Sequence, residues 1–134
     1  MADILEKIIN FSGTAVTITT TTETVIISSG AIILPFNTAQ VIVRAWAQLT
    51  TGAATTTVTP RIRRGTAATG TLVGEENAEN VKAAAGSTEP FFVIAAEGRS
   101  NERSVEYSLT LEQASATGNG SVLFAAIEVE VLTG

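Results

Sequence analysis

The sequence predicts an all-β fold, a two-sheet antiparallel sandwich of roughly eight or nine strands whose leading form is the jelly roll. Three observations carry this prediction. Thr occurs 21 times in the 134 residues and Val, Ile and Leu fill much of the remainder; β-branched side chains suit a pleated, half-buried surface. Turn signals recur at short intervals: Ser12-Gly13, Ser29-Gly30, Thr51-Gly52, Arg64-Gly65, Thr69-Gly70, Gly86-Ser87, Glu97-Gly98 and Gly118-Asn119-Gly120. Between them, apolar and polar residues alternate with the period of two that a strand imposes, with no strand–helix–strand rhythm.

Along the chain, residues 1–13 read as an N-terminal arm or short helix and 14–134 as one β-sandwich domain. In "ADILEKIIN", Ile4, Leu5, Ile8 and Ile9 fall at helical spacing, yet the stretch is short enough to be an extended arm that pairs only on assembly. "TAVTITTTTETVIISSGAIILPF" reads as two or three strands split by Ser-Ser-Gly. "QVIVRAWAQL" sends Val41, Val43, Ala45, Ala47 and Leu49 to one face, and Gln40, Arg44, Trp46 and Gln48 to the other. In "VTPRIRR", Thr57, Thr59, Arg61 and Arg63 share one face, while Val58, Pro60, Ile62 and Arg64 share the other. Pro60 cannot donate to a ladder and so points to an edge strand or a bulge.

"ENAENVKAAAGS" is either a helix or a loop with a short strand. "PFFVIAAEG" is continuously apolar, as in a strand covered on both sides. "SVEYSLTLEQ" alternates Val105, Tyr107, Leu109 and Leu111 with Glu106, Ser108, Thr110 and Glu112. "SVLFAAIEVEVL" sends Leu123, Ala125, Ile127, Val129 and Val131 inward and Glu128 and Glu130 outward.

The composition narrows the function. The chain has no Cys and no His, so Ser-His-Asp and Cys-His catalysis and thiolate metal sites are excluded. Asp3 is the only Asp, and the acidic run Glu75, Glu76 and Glu79 lacks the ligand spacing of a calcium loop. One Trp and one Tyr offer little for stacking sugars. We therefore expect no enzyme activity, no cofactor and no metal. A net charge of −5 argues against nucleic acid and anionic lipid as partners. No apolar run reaches membrane-spanning length, and the first residues do not read as a signal peptide, so the expectation is a soluble protein made in the cytoplasm.

Arg61, Arg63 and Arg64 are three of only eight basic residues. Alternation separates Arg64 from the other two and leaves it at the strand end, before Gly65. Arg61 and Arg63 are suited to pairing with outward glutamates such as Glu106 or Glu112 and to guarding an edge. The second reading is an interface, where Arg is enriched.

The run Arg61-Ile62-Arg63-Arg64-Gly65-Thr66, then Thr69-Gly70-Thr71 and "YSLTLEQASATGNGSV", resembles small β-sandwich proteins of tailed-phage virions. The resemblance covers about Val58 to Val131 and implies a capsid decoration or cement protein on the capsid exterior. Its expected partner is the phage major capsid protein, and its expected state is a homo-oligomer, often a trimer. The candidate contact residues are Ile4, Leu5, Ile8, Ile9 and Phe11 in the N-terminal segment, Trp46 on its strand, and Arg61 and Arg63. A tail or fibre module that binds host glycan or protein is the alternative reading, with Trp46 as its platform.

Overall fold

The computed structural model describes residues 3–12, 16–18, 21–51, 55–75, 81–84, 86–98, 103–114 and 120–133. Among them there is no helix. Twelve strands follow in order: β1 (Asp3–Ser12), β2 (Val16–Ile18), β3 (Thr24–Ser28), β4 (Ile32–Ile33), β5 (Thr38–Thr51), β6 (Thr56–Arg64), β7 (Thr71–Glu75), β8 (Val81–Ala83), β9 (Thr88–Gly98), β10 (Ser104–Val105), β11 (Tyr107–Gln113) and β12 (Gly120–Thr133).

All pairings are antiparallel. The first sheet runs β1-β12-β5-β9, with β2 continuing the β1 side of β12; the second runs β3-β11-β6-β7, with β8 continuing the β7 side of β6. Taking β1 with β2 and β7 with β8 as single positions gives two four-stranded sheets. Their interleaved order is that of a jelly roll, the leading form expected from the sequence. A small third pairing, β4 with β10, closes one end.

The core lies between the two sheets, where the alternating runs meet. Val41, Val43, Ala45, Ala47 and Leu49 are all buried, as are Val58 and Ile62 opposite them in the fold and Tyr107, Leu109 and Leu111 on β11. The period-two prediction therefore holds for β5 and β6, and for the apolar face of β11. On β12 it holds only after a bulge. The register shifts between Val122 and Phe124, so Val122 is buried and Leu123 is exposed, opposite to the simple alternation.

Four other expectations are corrected. The N-terminal segment is neither helix nor unpaired arm: β1 pairs with the chain's own β12 from Asp3↔Thr133 to Ser12↔Ala125. The ladder with β12 supplies backbone partners on one side of the strand, whereas a helix of two turns on its own is marginal in water. Pro60 does not mark an edge, because β6 sits between β11 and β7/β8. The pairing on its far side runs over Thr56 to Val58 with β8 and Arg61 to Arg64 with β7, so Pro60 falls in the gap between them. β9 is covered on one face only: Phe91, Val93 and Ala95 are buried while Phe92, Ile94 and Ala96 are exposed. Lastly, Ser108 and Thr110 are fully buried although they alternate with the core residues. Their hydroxyls donate to the carbonyls of Gly65 (2.6 Å) and Arg61 (3.5 Å). Of the candidate helix at 76–87, only short strand β8 and its flank lie within the described residues; Glu76 and Glu79 lie outside them.

At the β7–β9 side the sheets come very close. A Cβ built on Gly74 would stand 2.5 Å from the Ala95 Cβ, closer than real side chains approach. Replacing Gly74 with Ala is expected to destabilise the fold by about 1–3 kcal/mol through overpacking. Chemical-denaturation midpoints of the two proteins check this, and an unchanged midpoint would show that β7 can shift away from β9 without cost.

Candidate interaction surfaces

The two outer faces of the sandwich differ in chemistry. On the second sheet, outside β6, Arg61 and Arg63 converge on one carboxylate. Arg63 grips Glu23 with two donors, Nε to Oε2 at 2.5 Å and Nη2 to Oε1 at 3.0 Å, and Arg61 Nη1 donates to Oε1 at 2.5 Å. A planar guanidinium fork suits this two-oxygen grip. Arg61 also reaches Glu112 at 3.4 Å, and Arg63 Nη1 donates to the Gly70 carbonyl at 2.9 Å. The pairing with Glu112 follows the sequence expectation. The main partner, Glu23, does not: it precedes β3 in an irregular stretch where no alternation assigns it a face. The Glu23 side chain is only 9% exposed. Burial alone would raise its carboxyl pKa, but hydrogen bonds from Arg63 and then Arg61 outweigh burial and hold it below the ordinary value.

Arg64 takes a separate role, at the strand end as expected. It forms an ion pair with Glu97 of β9, and Tyr107 Oη donates to Glu97 Oε2 at 2.6 Å. This joins β6 and β11 of one sheet to β9 of the other. Burial, followed by the bond to Glu97 and its negative charge, pushes the Tyr107 phenol well above its usual range, so it stays a donor throughout the physiological pH range. Just beyond, the chain turns at Gly65 with φ +109, a backbone conformation that glycine supplies without strain. An open cleft of about 580 Å³ lies there, lined by Arg64, Gly65, Gly70, Thr71 and Glu106 among others. The arginine facing it is already held by Glu97.

The outer face of the first sheet is mostly apolar. The register aligns Phe11, Ala126, Trp46 and Phe92 in one row and Ile9, Glu128, Arg44 and Ile94 in the next. Phe92 is 49% exposed, Ile94 54% and Ile9 40%, and Trp46 is half-buried between its neighbours. Among the described side chains, the charges on this face are collected in its middle: Arg44 Nη1 donates to Glu128 at 2.9 Å and to Glu130 at 2.6 Å. Those glutamates point outward as the alternation predicts, yet each is only 8% exposed, because β12 is a central strand with neighbours on both sides.

Of the residues singled out from sequence, Trp46 and Ile9 therefore share one face, and Arg61 and Arg63 occupy the other. Ile4, Ile8 and Phe11 are registered opposite Leu132, Val129 and Ala126, and Leu5 lies at a register shift; their side chains lie outside the described residues. Sequence reasoning missed Phe92 and Ile94, because an unbroken apolar run reads as a two-sided core strand. It also missed Ile33 (72% exposed) and Phe36 (76% exposed) at the end of the sandwich, where the Arg103 guanidinium lies 3.6 Å above the Phe36 ring. No group of three or more potential metal-ligating side chains occurs among the described residues.

No protein-family model matches the chain, and no curated protein matches it. Solved structures similar to it include a subunit of Bacillus endospore appendages, described as a novel family of disulfide-linked pili. The two share 19% identity over 96% of this chain and 92% of the other, with a TM-score of 0.41. A protein of the infectious bursal disease virus Gx strain shares 9% identity over 99% of this chain and 41% of its own, with a TM-score of 0.43. Eiger TNF from S. frugiperda shares 14% identity over 75% of this chain and 63% of its own, with a TM-score of 0.36. No residue role passes from these proteins to this chain.

The Glu23 cluster makes a prediction about pH. A carboxyl whose folded pKa lies below its unfolded value stabilises the fold fully above the unfolded value, 4.5, and loses that contribution as pH falls through the folded one. Denaturation midpoints are expected to fall between about pH 6 and about pH 3, and Glu23→Gln is expected to remove part of that fall. At neutral pH the same substitution is expected to cost about 1–3 kcal/mol, as for hydrogen bonds to charged groups. Equal stability of the two proteins at neutral pH would show that the arginines find other partners.

Proposed function

We propose that this chain is a non-enzymatic structural protein of a virus particle. In this reading it decorates a phage head, docks on neighbouring major capsid subunits, and associates with copies of itself on the capsid exterior. The observation that carries the proposal is the outer face of the β1-β12-β5-β9 sheet. Phe92, Ile94 and Ile9 stand exposed around the half-buried Trp46, and the Arg44, Glu128 and Glu130 charges there already answer one another. A face of this kind loses little on leaving water, because its apolar side chains gain about 25 cal/mol per Å² buried and its ions already have partners. It suits broad, flat docking onto another protein. The resemblance of the Val58–Val131 region to phage virion sandwiches supplies the type of assembly.

Arg61 and Arg63 have a different part in this reading. Their engagement with Glu23 makes them structural supports of β6 rather than free docking cations, so the proposed contact surface rests on the first sheet.

Co-sedimentation with undecorated tailed-phage heads, assembled from major capsid protein alone, tests the proposal. The intact chain is expected to bind, and Phe92→Ser is expected to weaken binding by about tenfold or more, in line with the roughly 1.5–3 kcal/mol of a buried large apolar side chain. Absence of binding by the intact, folded chain rejects the decoration reading.

A further inference from the structure

The sandwich has four sheet edges, and three carry devices that discourage pairing with other strands. β1 has a register shift between Ile4 and Glu6 and holds Asp3, Glu6 and Lys7. β3 has five residues, and its register with β11 shifts between Leu109 and Thr110. β7 has five residues, with a shift against β6 between Ile62 and Arg63, and β8 has three. Shortness, bulges and charge are the usual protections of an open edge.

β9 lacks all of them along its middle. It has eleven residues, and its pairing with β5 runs without a shift from Gln40↔Gly98 to Thr50↔Thr88. From Pro90 to Ala96 the sequence is Pro-Phe-Phe-Val-Ile-Ala-Ala, with no charge between Glu89 and Glu97. Among the described residues, no strand pairs with its other side. Unpaired N–H and C=O groups along a regular strand bind one thing well, the backbone of another extended strand.

We infer that β9 pairs antiparallel with β9 of a second copy of this chain, about a two-fold axis, so that the two four-stranded sheets become one continuous sheet. The choice of occupant follows from the comparison of edges. Among the described strands, only β9 offers a second copy a regular, uncharged stretch long enough to match its own. With the axis normal to the sheet, outward residues of one copy stand beside outward residues of the other. Phe92 and Ile94 of both copies then share one seam, where aromatic and β-branched neighbours add to the ladder. The contact is isologous and closes at two copies. It deepens the self-association part of the proposed function: two apolar faces become one, and simultaneous docking of both raises avidity.

Sedimentation equilibrium and amide hydrogen exchange on the intact chain test this. A monomer–dimer equilibrium is expected, in which amides within 91–96 exchange more slowly at high concentration. Ile94→Lys, a change on the solvent side of the monomer, is expected to raise the dissociation constant at least about tenfold and abolish the added protection. Its far-UV circular dichroism and melting temperature are expected to match those of the wild-type monomer; if it fails to fold, Phe92→Lys is the replacement variant. A wild type that stays monomeric overturns the inference. So does an oligomer indifferent to the lysine, or a dimer whose 91–96 amides exchange as in the monomer. Head binding is read separately: dimerisation without head binding rejects only the decoration reading, and head binding by a chain that never dimerises rejects only this one.

Discussion

A thin core governs this structure. The inner faces are built from Val, Ile, Leu and Ala, with Phe91 and Tyr107 as the buried aromatic residues among those described. Small side chains let the sheets approach so closely that Gly74 and Ala95 meet without room for another methyl group. Such a core has no space for further rings, and the other described aromatics are displaced outward: Trp46, Phe92 and Phe124 on the first sheet and Phe36 at the sandwich end. The apolar character of the outside is thus the counterpart of the slenderness of the inside. Tyr107 is accommodated because its ring is buried while its hydroxyl reaches Glu97, which in turn holds Arg64, giving the two sheets a polar fastening where the apolar packing ends.

The same thinness divides the labour between the outer faces. Outside β6, Arg61 and Arg63 close over Glu23 and bind the stretch before β3 to the middle of the second sheet. Outside β5, Arg44 satisfies two glutamates of β12 and leaves the rows around it apolar. One face is tied to itself by charge; the other is open to a partner. The arginines that stand out in the sequence are on the closed face, and the residues that stand out least, inside "PFFVIAAEG", are on the open one.

That contrast shows what the sequence makes legible. Alternation identifies the facing of β5 and β6 residue by residue, because their inner faces are apolar and their outer faces polar or charged. Turn residues locate the β6–β7 hairpin. The jelly-roll order is consistent with the composition, but strand order is a matter of which distant segments pair, and no local pattern encodes that. The same reason hides Glu23 as the partner of Arg61 and Arg63, 38 and 40 residues away in the chain. Pro60 misleads because a gap between two short strands, β7 and β8, serves a missing N–H as well as a sheet edge does. β9 misleads because an apolar strand against a core and a solvent-exposed apolar face look alike when only periodicity is read.

The position of β12 has a consequence for how the protein comes into being. It is the last of these strands to leave the ribosome, and it lies between β1 and β5 as the spine of the first sheet. Until it emerges, β1 has no described ladder partner and β5 has only β9. The nascent chain therefore holds its most aggregation-prone stretch, 90–96, in an incomplete sheet while the remaining residues are being translated, and closure by loops this long is slow. The bulge at Val122–Phe124 sits where β12 passes from the β2 register to the β1 register. A single late strand thus sets the moment at which the first sheet can close.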